Sequence, residues 1–204
     1  KEIQVLDLKA QDYRKSAAEV AEEVDAILKM KNPAEKFAAL RASAQPQAQF
    51  LWAIFRDIFH YAAVQLENVA DNARDLDLAM RWGFGWSQGP FETWQAAGWS
   101  DIAQAIAADI AAGKAMSATP LPAWVLDSGR TGVHTGQGSY SASKNAYVAR
   151  SALPVYQRQL FPERVLGESG VTPEKSGETL YENDGVRLWR LPAVDRKIGI
   201  ISVK

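Results

Sequence analysis

Asp75, Asp77 and Glu92, with Arg81 between them, are the charged groups of a twenty-residue segment running from Asp75 to Trp94. Carboxylates this close invite general acid–base chemistry, in which one group gives a proton while another takes it. Two residues of separation put Asp75 and Asp77 on different helix faces, so they do not form such a pair. They read as structural: one caps exposed helix amides, and the other pairs with Arg81 or Arg74. Gly89-Pro90-Phe91-Glu92 offers a helix N-terminus to an anion. Glu92 already supplies negative charge in that first turn, so the motif reads as a tight helix start with Phe91 in the core. Asp57 and His60 lie three apart on one helical pattern and are placed to touch. With no nucleophile beside them, His60 reads as a satisfied core histidine. His134 lies in a glycine-rich stretch and reads as a polar loop residue. That stretch, Gly129 to Gly138, superficially resembles a phosphate loop. It lacks the Lys-Ser/Thr ending and the flanking strand and helix, so it reads as an interdomain arm. Trp82, Trp86, Trp94 and Trp99 have only Arg81 as a nearby cation. Interleaved basic residues, which single-strand binders use, are absent, so the rings read as core and interface packing.

The elements that must hold these residues are mostly helical. Ser16 is expected to cap a helix running to Met30, with Val20, Val24, Ile27 and Leu28 as its apolar face. Asn32 caps a second helix with Pro33 at its first position, burying Phe37 and Leu40. Residues 45–71 carry the longest helical pattern, with Phe50, Ile54, Phe55, Phe59, Leu66 and Val69 on a stripe wide enough for contacts on more than one side. Arg74 to Trp82 is a short helix, opened by Asn72 or Asp71. Gly83, Gly85 and Gly89 make the turn that follows. Pro90 starts the next helix, Phe91 to Ala97, which Gly98 ends, and Ser100 caps another over Asp101 to Ala112. That helix repeats Ile102, Ile106 and Ile110, and Gly113 ends it. Pro122 to Leu126 is one more helical turn. Residues 127–146 and 160–175 show no periodicity and read as coil or very short strands. At the N-terminal end, Ile3 and Val5 alternate around Gln4 as a strand would, with a turn near Lys9 to Asp12. Asp184-Gly185 is a hairpin signal between Thr179-Leu180-Tyr181 and Val186 to Arg190. The run from Ile198 to Val203 pairs beside them.

Composition narrows the function classes. A net charge of -1 over 204 residues argues against electrostatic capture of nucleic acid or an anionic membrane. No apolar run reaches the length of a membrane span. There is no cysteine, which removes disulfides and thiol catalysis and fits a reducing, cytoplasmic location. With only two histidines, a histidine-based metal site is not expected.

The corner segment resembles the C-terminal domain of 3-hydroxyacyl-CoA dehydrogenases. The resemblance rests on Asp75-Leu76-Asp77-Leu78-Ala79-Met80-Arg81-Trp82-Gly83-Phe84-Gly85 followed by Gly89-Pro90-Phe91-Glu92, and it is firm over residues 47–98. It implies a mainly α fold, a helical bundle like that of 3-hydroxyacyl-CoA and 6-phosphogluconate dehydrogenases. A short N-terminal β element, an irregular Gly/Ser-rich arm and a small C-terminal β element accompany the bundle. The Arg81-Trp82-Gly83-Phe84-Gly85-Trp86 version and the arm look like the large fused fatty-acid β-oxidation proteins. On that reading residues 1–15 are a strand element, 16–126 a second copy of the helical domain, 127–178 a linker arm, and 179–204 the first strands of an enoyl-CoA hydratase domain. The chain is then a fragment of a longer enzyme.

Family chemistry is hydride transfer between a 3-hydroxyacyl-CoA and NAD, done with a glycine-rich cofactor loop and a His–Glu pair in a separate nicotinamide domain. No such loop is present here. Where a first helical copy places an Asn–Arg pair facing the active site, this chain has Trp52-Ala53, with Phe50-Leu51 before it. The resemblance therefore implies a non-catalytic helical piece: no catalytic residue, no cofactor of its own, and NAD bound by the parent. Its partners are the parent's other domains, a second copy in a homodimer, and acyl-CoA reached through the parent. Trp52, Arg56 and His60 are the candidate acyl-CoA contacts. Two other readings stand beside it. An independent acyl-CoA or lipid-binding module needs an open apolar groove with a basic patch. A protein-interaction module needs an exposed apolar face without a ligand-sized pocket.

Overall fold

The structure is a computed structural model that describes residues 3–16, 19–157, 163–168, 177–191 and 197–203. The chain is mainly α-helical, and it divides into two compact units, residues 1–55 and 56–204.

In the first unit, β1 (Gln4–Asp7) and β2 (Asp12–Lys15) form an antiparallel hairpin. The Ser16 N–H donates to the Ile3 carbonyl, which extends this ladder. Ser16 is therefore the end of a strand and not the expected helix cap. The first helix, α1 (Glu22–Leu28), begins later, and its N-cap is Ala21. The missing side-chain cap is replaced by a distant residue: Gln47 accepts from the Ala21 N–H and donates to the Glu19 carbonyl. Val24 and Ile27 are buried, but Val20 and Leu28 are exposed, so the apolar face is narrower than expected. In α2 (Pro33–Ala42), Asn32 accepts from the Ala34 N–H with Pro33 at the first turn, as its sequence indicates. Val24, Ile27, Leu40 and Ala48 make the small core of this unit. Phe37 meets Phe55 edge to face at 5.0 Å.

The long helix α3 (Pro46–Val69) carries the division between the units. Its buried positions include Ala48, Trp52, Arg56, Phe59, His60, Ala63 and Leu66, which recur at helical spacing. Phe50, Ile54 and Val69 of the expected stripe are exposed instead.

In the second unit, α4 (Ala73–Phe84) and α5 (Pro90–Ala111) pack on one another. Asn72 caps α4 by accepting from the Arg74 and Asp75 N–H groups, and Gly85 closes it at φ 69°. Gly98, at φ 100°, breaks α5 into two arms, a backbone angle that favours glycine. A 3-10 turn at Ala123–Leu126 packs on α5. The core here is aromatic. Phe59 stacks on Trp94 at 5.5 Å, Trp94 on Trp99 at 4.3 Å, and Trp99 on Trp124 at 6.1 Å. The buried indoles are satisfied by backbone: Trp94 donates to the Trp99 carbonyl and Trp99 to that of Val125.

Residues 127–148 contain more order than aperiodic sequence suggests. β3 (His134–Thr135), β4 (Gly138–Ser141) and β5 (Ala146–Val148) form an antiparallel meander, and every residue of β4 is buried. β4 packs against α4. After α6 (Pro154–Gln157), a second antiparallel sheet has the order β6 (Glu178–Glu182), β7 (Val186–Arg190), β8 (Ile200–Val203). It is the hairpin and flanking strand that the Asp184-Gly185 turn indicates, with Trp189 fully buried. Most of the aperiodic stretch at 160–175 lies outside the described residues.

Candidate functional site

The corner between α4 and α5 is built on Asp77. Its side chain is fully buried and accepts from the first amides of α5: Phe91 N–H at Oδ1 and Glu92 N–H at Oδ2, both 2.9 Å. The expected capping carboxylate is thus real, but it caps the following helix and not its own. Gly89 is where the two backbones meet. A methyl group there would collide with the Asp77 backbone and side chain, so only glycine fits. Pro90 supplies the first helical position.

Glu92 is the second buried acid of the corner. It accepts from the Gly89 N–H at 2.9 Å, from Arg81, and from the Leu166 N–H at 2.9 Å. The negative charge expected in the first turn is therefore fully occupied in structure. Arg81 also binds the Glu163 carboxylate and the Arg164 carbonyl. Arg74 binds Glu168 and the Glu163 carbonyl. Neither arginine is the hydrogen-bonded partner of Asp75, which accepts from Asn72 Nδ2 at 2.7 Å. Burial, then repulsion from Asp71, raises the Asp75 carboxyl above its ordinary value.

His134 reverses its sequence reading. It is one of the largest fully buried side chains of the chain. Its Nε2 lies 2.7 Å from Asp77 Oδ2, and its Nδ1 lies 2.9 Å from Ser139 Oγ. Gln95 clamps the same strand, accepting from the Val133 and His134 N–H groups and donating to the His134 carbonyl. Gly132 packs onto Gln95, so the glycine-rich stretch is a tightly held strand entry and not a phosphate loop. Burial pushes the Asp77 carboxyl above its ordinary value, against the hydrogen bond and charge of His134 and the Phe91 amide. Amide donors on both of its oxygens define Asp77 as an acceptor, so His134 Nε2–H donates to it and Nδ1 is left to accept from Ser139. No local pattern announces this cluster, because Asp77 and His134 are separated by 57 positions.

The rest of the motif is divided between packing and exposure. Phe91 is fully buried and Met80 half-buried, whereas Gly83, Gly85 and Trp82 are exposed, Trp82 by 68%. Trp94 and Trp99 are core, as their reading holds, and Trp86 is half-buried.

The three candidate acyl-CoA contacts are all buried. Trp52 lies under the Arg41 guanidinium at 5.7 Å. Arg56 grips both oxygens of Asp57 at 2.9 and 3.0 Å and reaches Asp109 at 3.3 Å. Burial raises the Asp57 carboxyl, but hydrogen bonds from Arg56 and the Met116 amide outweigh it and leave the group below its ordinary value. His60 donates from Nε2 to the Thr119 carbonyl at 2.7 Å, which satisfies the core histidine, and it lies near Asp57, with which it shares the lining of a smaller cleft.

A cleft of about 570 Å³ runs along α4 between Leu78, Ala79 and Trp82 on one side and Val148 to Ser151 on the other, with Ser139 in its wall. Among the described residues no group of three or more His, Asp or Glu is placed to hold a metal. No described helix is long and apolar enough to cross a membrane.

Comparison with known proteins gives the corner a family context. A probable 3-hydroxyacyl-CoA dehydrogenase of Bacillus subtilis (strain 168) is 26% identical over 190 residues, covering 87% of this chain. The chain spans 22% of that protein's length. No solved structure matches at a significant level. Residues 52–142, which hold α4, α5, the aromatic core and the His134 strand, match the family described as 3-hydroxyacyl-CoA dehydrogenase, C-terminal domain.

Proposed function

We propose that this chain is a helical scaffold of a multidomain 3-hydroxyacyl-CoA dehydrogenase, contributing packing and not hydride chemistry. The Asp77–Gly89 corner carries the reading: its acids, amides and glycine are all consumed in holding α4 to α5. A group that must release or capture a substrate proton needs access to substrate, and Asp77 and Glu92 have none. The family match over residues 52–142 supports the dehydrogenase context.

The parent is proposed to act in fatty-acid β-oxidation in the cytoplasm, binding NAD in a separate domain and carrying a fused enoyl-CoA hydratase unit of which β6–β8 are the first strands. The chain itself takes no cofactor. Trp52, Arg56 and His60 are proposed to shape the wall of the acyl-CoA cleft from behind. Burial of all three suits support better than direct ligand contact. Contacts with the parent's other domains and with a second copy complete the role.

Calorimetric titration of the 204-residue chain tests this, with a medium-chain 3-hydroxyacyl-CoA in one cell and NAD in another. No heat from either is expected. Saturable acyl-CoA heat alone would mean that the chain is a binding module, and heat from NAD would end the scaffold reading.

A further inference from the structure

The outer edge of β2 is complementary to a copy of itself. Within the hairpin, the Ser16 N–H donates to the Ile3 carbonyl. Backbone groups alternate in direction along a strand, so those of Arg14 and Asp12 also turn to β1, and those of Tyr13 and Lys15 turn away. Among the described residues no strand meets them. The neighbour of β2 in its sheet is β1, and the Tyr13 N–H is met by the Asp12 side chain at 2.7 Å. All of β2 is exposed, and a lone two-stranded hairpin is marginal in water. Charge is unbalanced as well. Asp7 and Asp12 stand directly opposite each other, and Arg14 is bonded through Nε to Asp7 at 3.2 Å. Asp12 has no ion pair among the described residues, while the Arg14 side chain is still 58% exposed.

We propose that β2 pairs antiparallel with β2 of a second copy, about a two-fold axis at Tyr13, joining the two hairpins into one four-stranded sheet. An axis of this kind sets one residue opposite itself and its neighbours opposite each other. Centred on Tyr13, the register lets the two outward Tyr13 N–H groups donate to the two outward Tyr13 carbonyls. Asp12 then gives up the Tyr13 amide and lies opposite Arg14 of the second copy, on both sides of the axis. Unlike charges directly across a strand pair stabilise it. Leu6, across from Tyr13 in each hairpin and exposed like it, extends the central tyrosine pair into an apolar row on one face. Other edges lack this match: β6 centred on Leu180 sets Glu178 against Glu182, and β8 carries no charge. Four residues a side make a small interface, so the dimer forms with rising concentration and parts on dilution. This pairing rests on the proposed function only for the existence of a second copy, and the absence of hydride chemistry stands or falls apart from it.

The test is sedimentation of the whole chain over a concentration series, with charge reversal on the edge. Wild type is expected to pass from monomer to dimer. Asp12→Arg turns arginine against arginine at both ends and should weaken the dimer by about tenfold or more. Adding Arg14→Asp opposes unlike charges again, keeps an arginine across from Asp7, and should restore the dimer. The chain has no cysteine, so Tyr13→Cys supplies a single thiol at the axis. Cα atoms of a hydrogen-bonded pair lie roughly 5.5 Å apart, within disulfide reach. Mild oxidation should link two copies of that variant, whereas Lys9→Cys in the hairpin turn should stay unlinked. Far-ultraviolet circular dichroism checks that each variant keeps its helices. Wild type that stays monomeric at roughly millimolar concentration would overturn the pairing, whatever ligands the chain binds. A dimer unmoved by Asp12→Arg and unlinked by Tyr13→Cys belongs to another surface and would overturn it too.

Discussion

Gly89 and Gly83 lie six positions apart in the same motif and are expected to respond oppositely to the same change. A Cβ at Gly89 would collide with Asp77, whereas Gly83 in α4 has open space around it. Gly89→Ala should destabilise by about 1–3 kcal/mol through overpacking. Gly83→Ala should stabilise by about 0.5–1 kcal/mol, because alanine loses less backbone freedom in a helix. Urea unfolding of both variants reads the difference, and equal shifts would contradict the close approach at Gly89. A second residue-level expectation concerns acid. The Asp57 carboxyl is held below its ordinary 3.8 in the folded chain. Its contribution is therefore complete above about that value and is lost as the pH falls through the lower, folded value. Asp57→Asn should flatten this part of the acid limb in a pH series of melting temperatures. Asp77 carries the opposite sign: its raised carboxyl gives up stability as the pH climbs through its folded value.

At the scale of elements, legibility follows the range of the interactions. Helix α2 was readable because Asn32 and Pro33 act within one turn of each other. The β6–β7 hairpin is readable from Asp184-Gly185, and Gly98 marks a break in helix, although the structure makes it a kink within α5 where an end and a fresh cap at Ser100 are expected. These are local backbone signals. Helix α1 was misplaced because Ser16, a good cap by type, is taken up by the β1–β2 ladder, while the amide at Ala21 is satisfied from α3. His134 hides its role for the same reason: it sits in strand β3 while its partner Asp77 lies in α4, and glycine-rich surroundings look like coil until β4 packs on α4. The β6–β8 sheet offers its own test. Trp189 is its buried centre, donating to Ser202 Oγ at 2.9 Å. Trp189→Ala should cost the sheet about 3–5 kcal/mol. Amide protection in β6–β8 should disappear while the helical far-ultraviolet signal persists. Loss of helix in the same variant would show that the sheet and the helices unfold together.

Over the whole molecule, burial is uneven, and local stability should be uneven with it. Strands β1 and β2 are almost wholly exposed, whereas β4 and the first arm of α5 are buried. Hydrogen exchange is expected to be fastest in residues 4–15 and slowest in α5 and β4, since openings follow the density of buried apolar contacts. Uniform protection across these segments would contradict that gradient. Residues 52–142, which match the family model, contain both the aromatic core and the buried acids, so that segment is also the part expected to open last.

The Trp94–Trp99 stack has an optical consequence. The two indole rings are 4.3 Å apart and within 17° of parallel, on either side of the Gly98 kink. Transition dipoles that close couple strongly, so light absorbed by one ring is shared with the other. The pair should give a split signal of opposite lobes in ultraviolet circular dichroism, which isolated tryptophans lack. Its amplitude depends on the angle between the rings, and so on the bend at Gly98. The chain therefore carries an intrinsic goniometer in its core, able to report a change in that bend without any attached label.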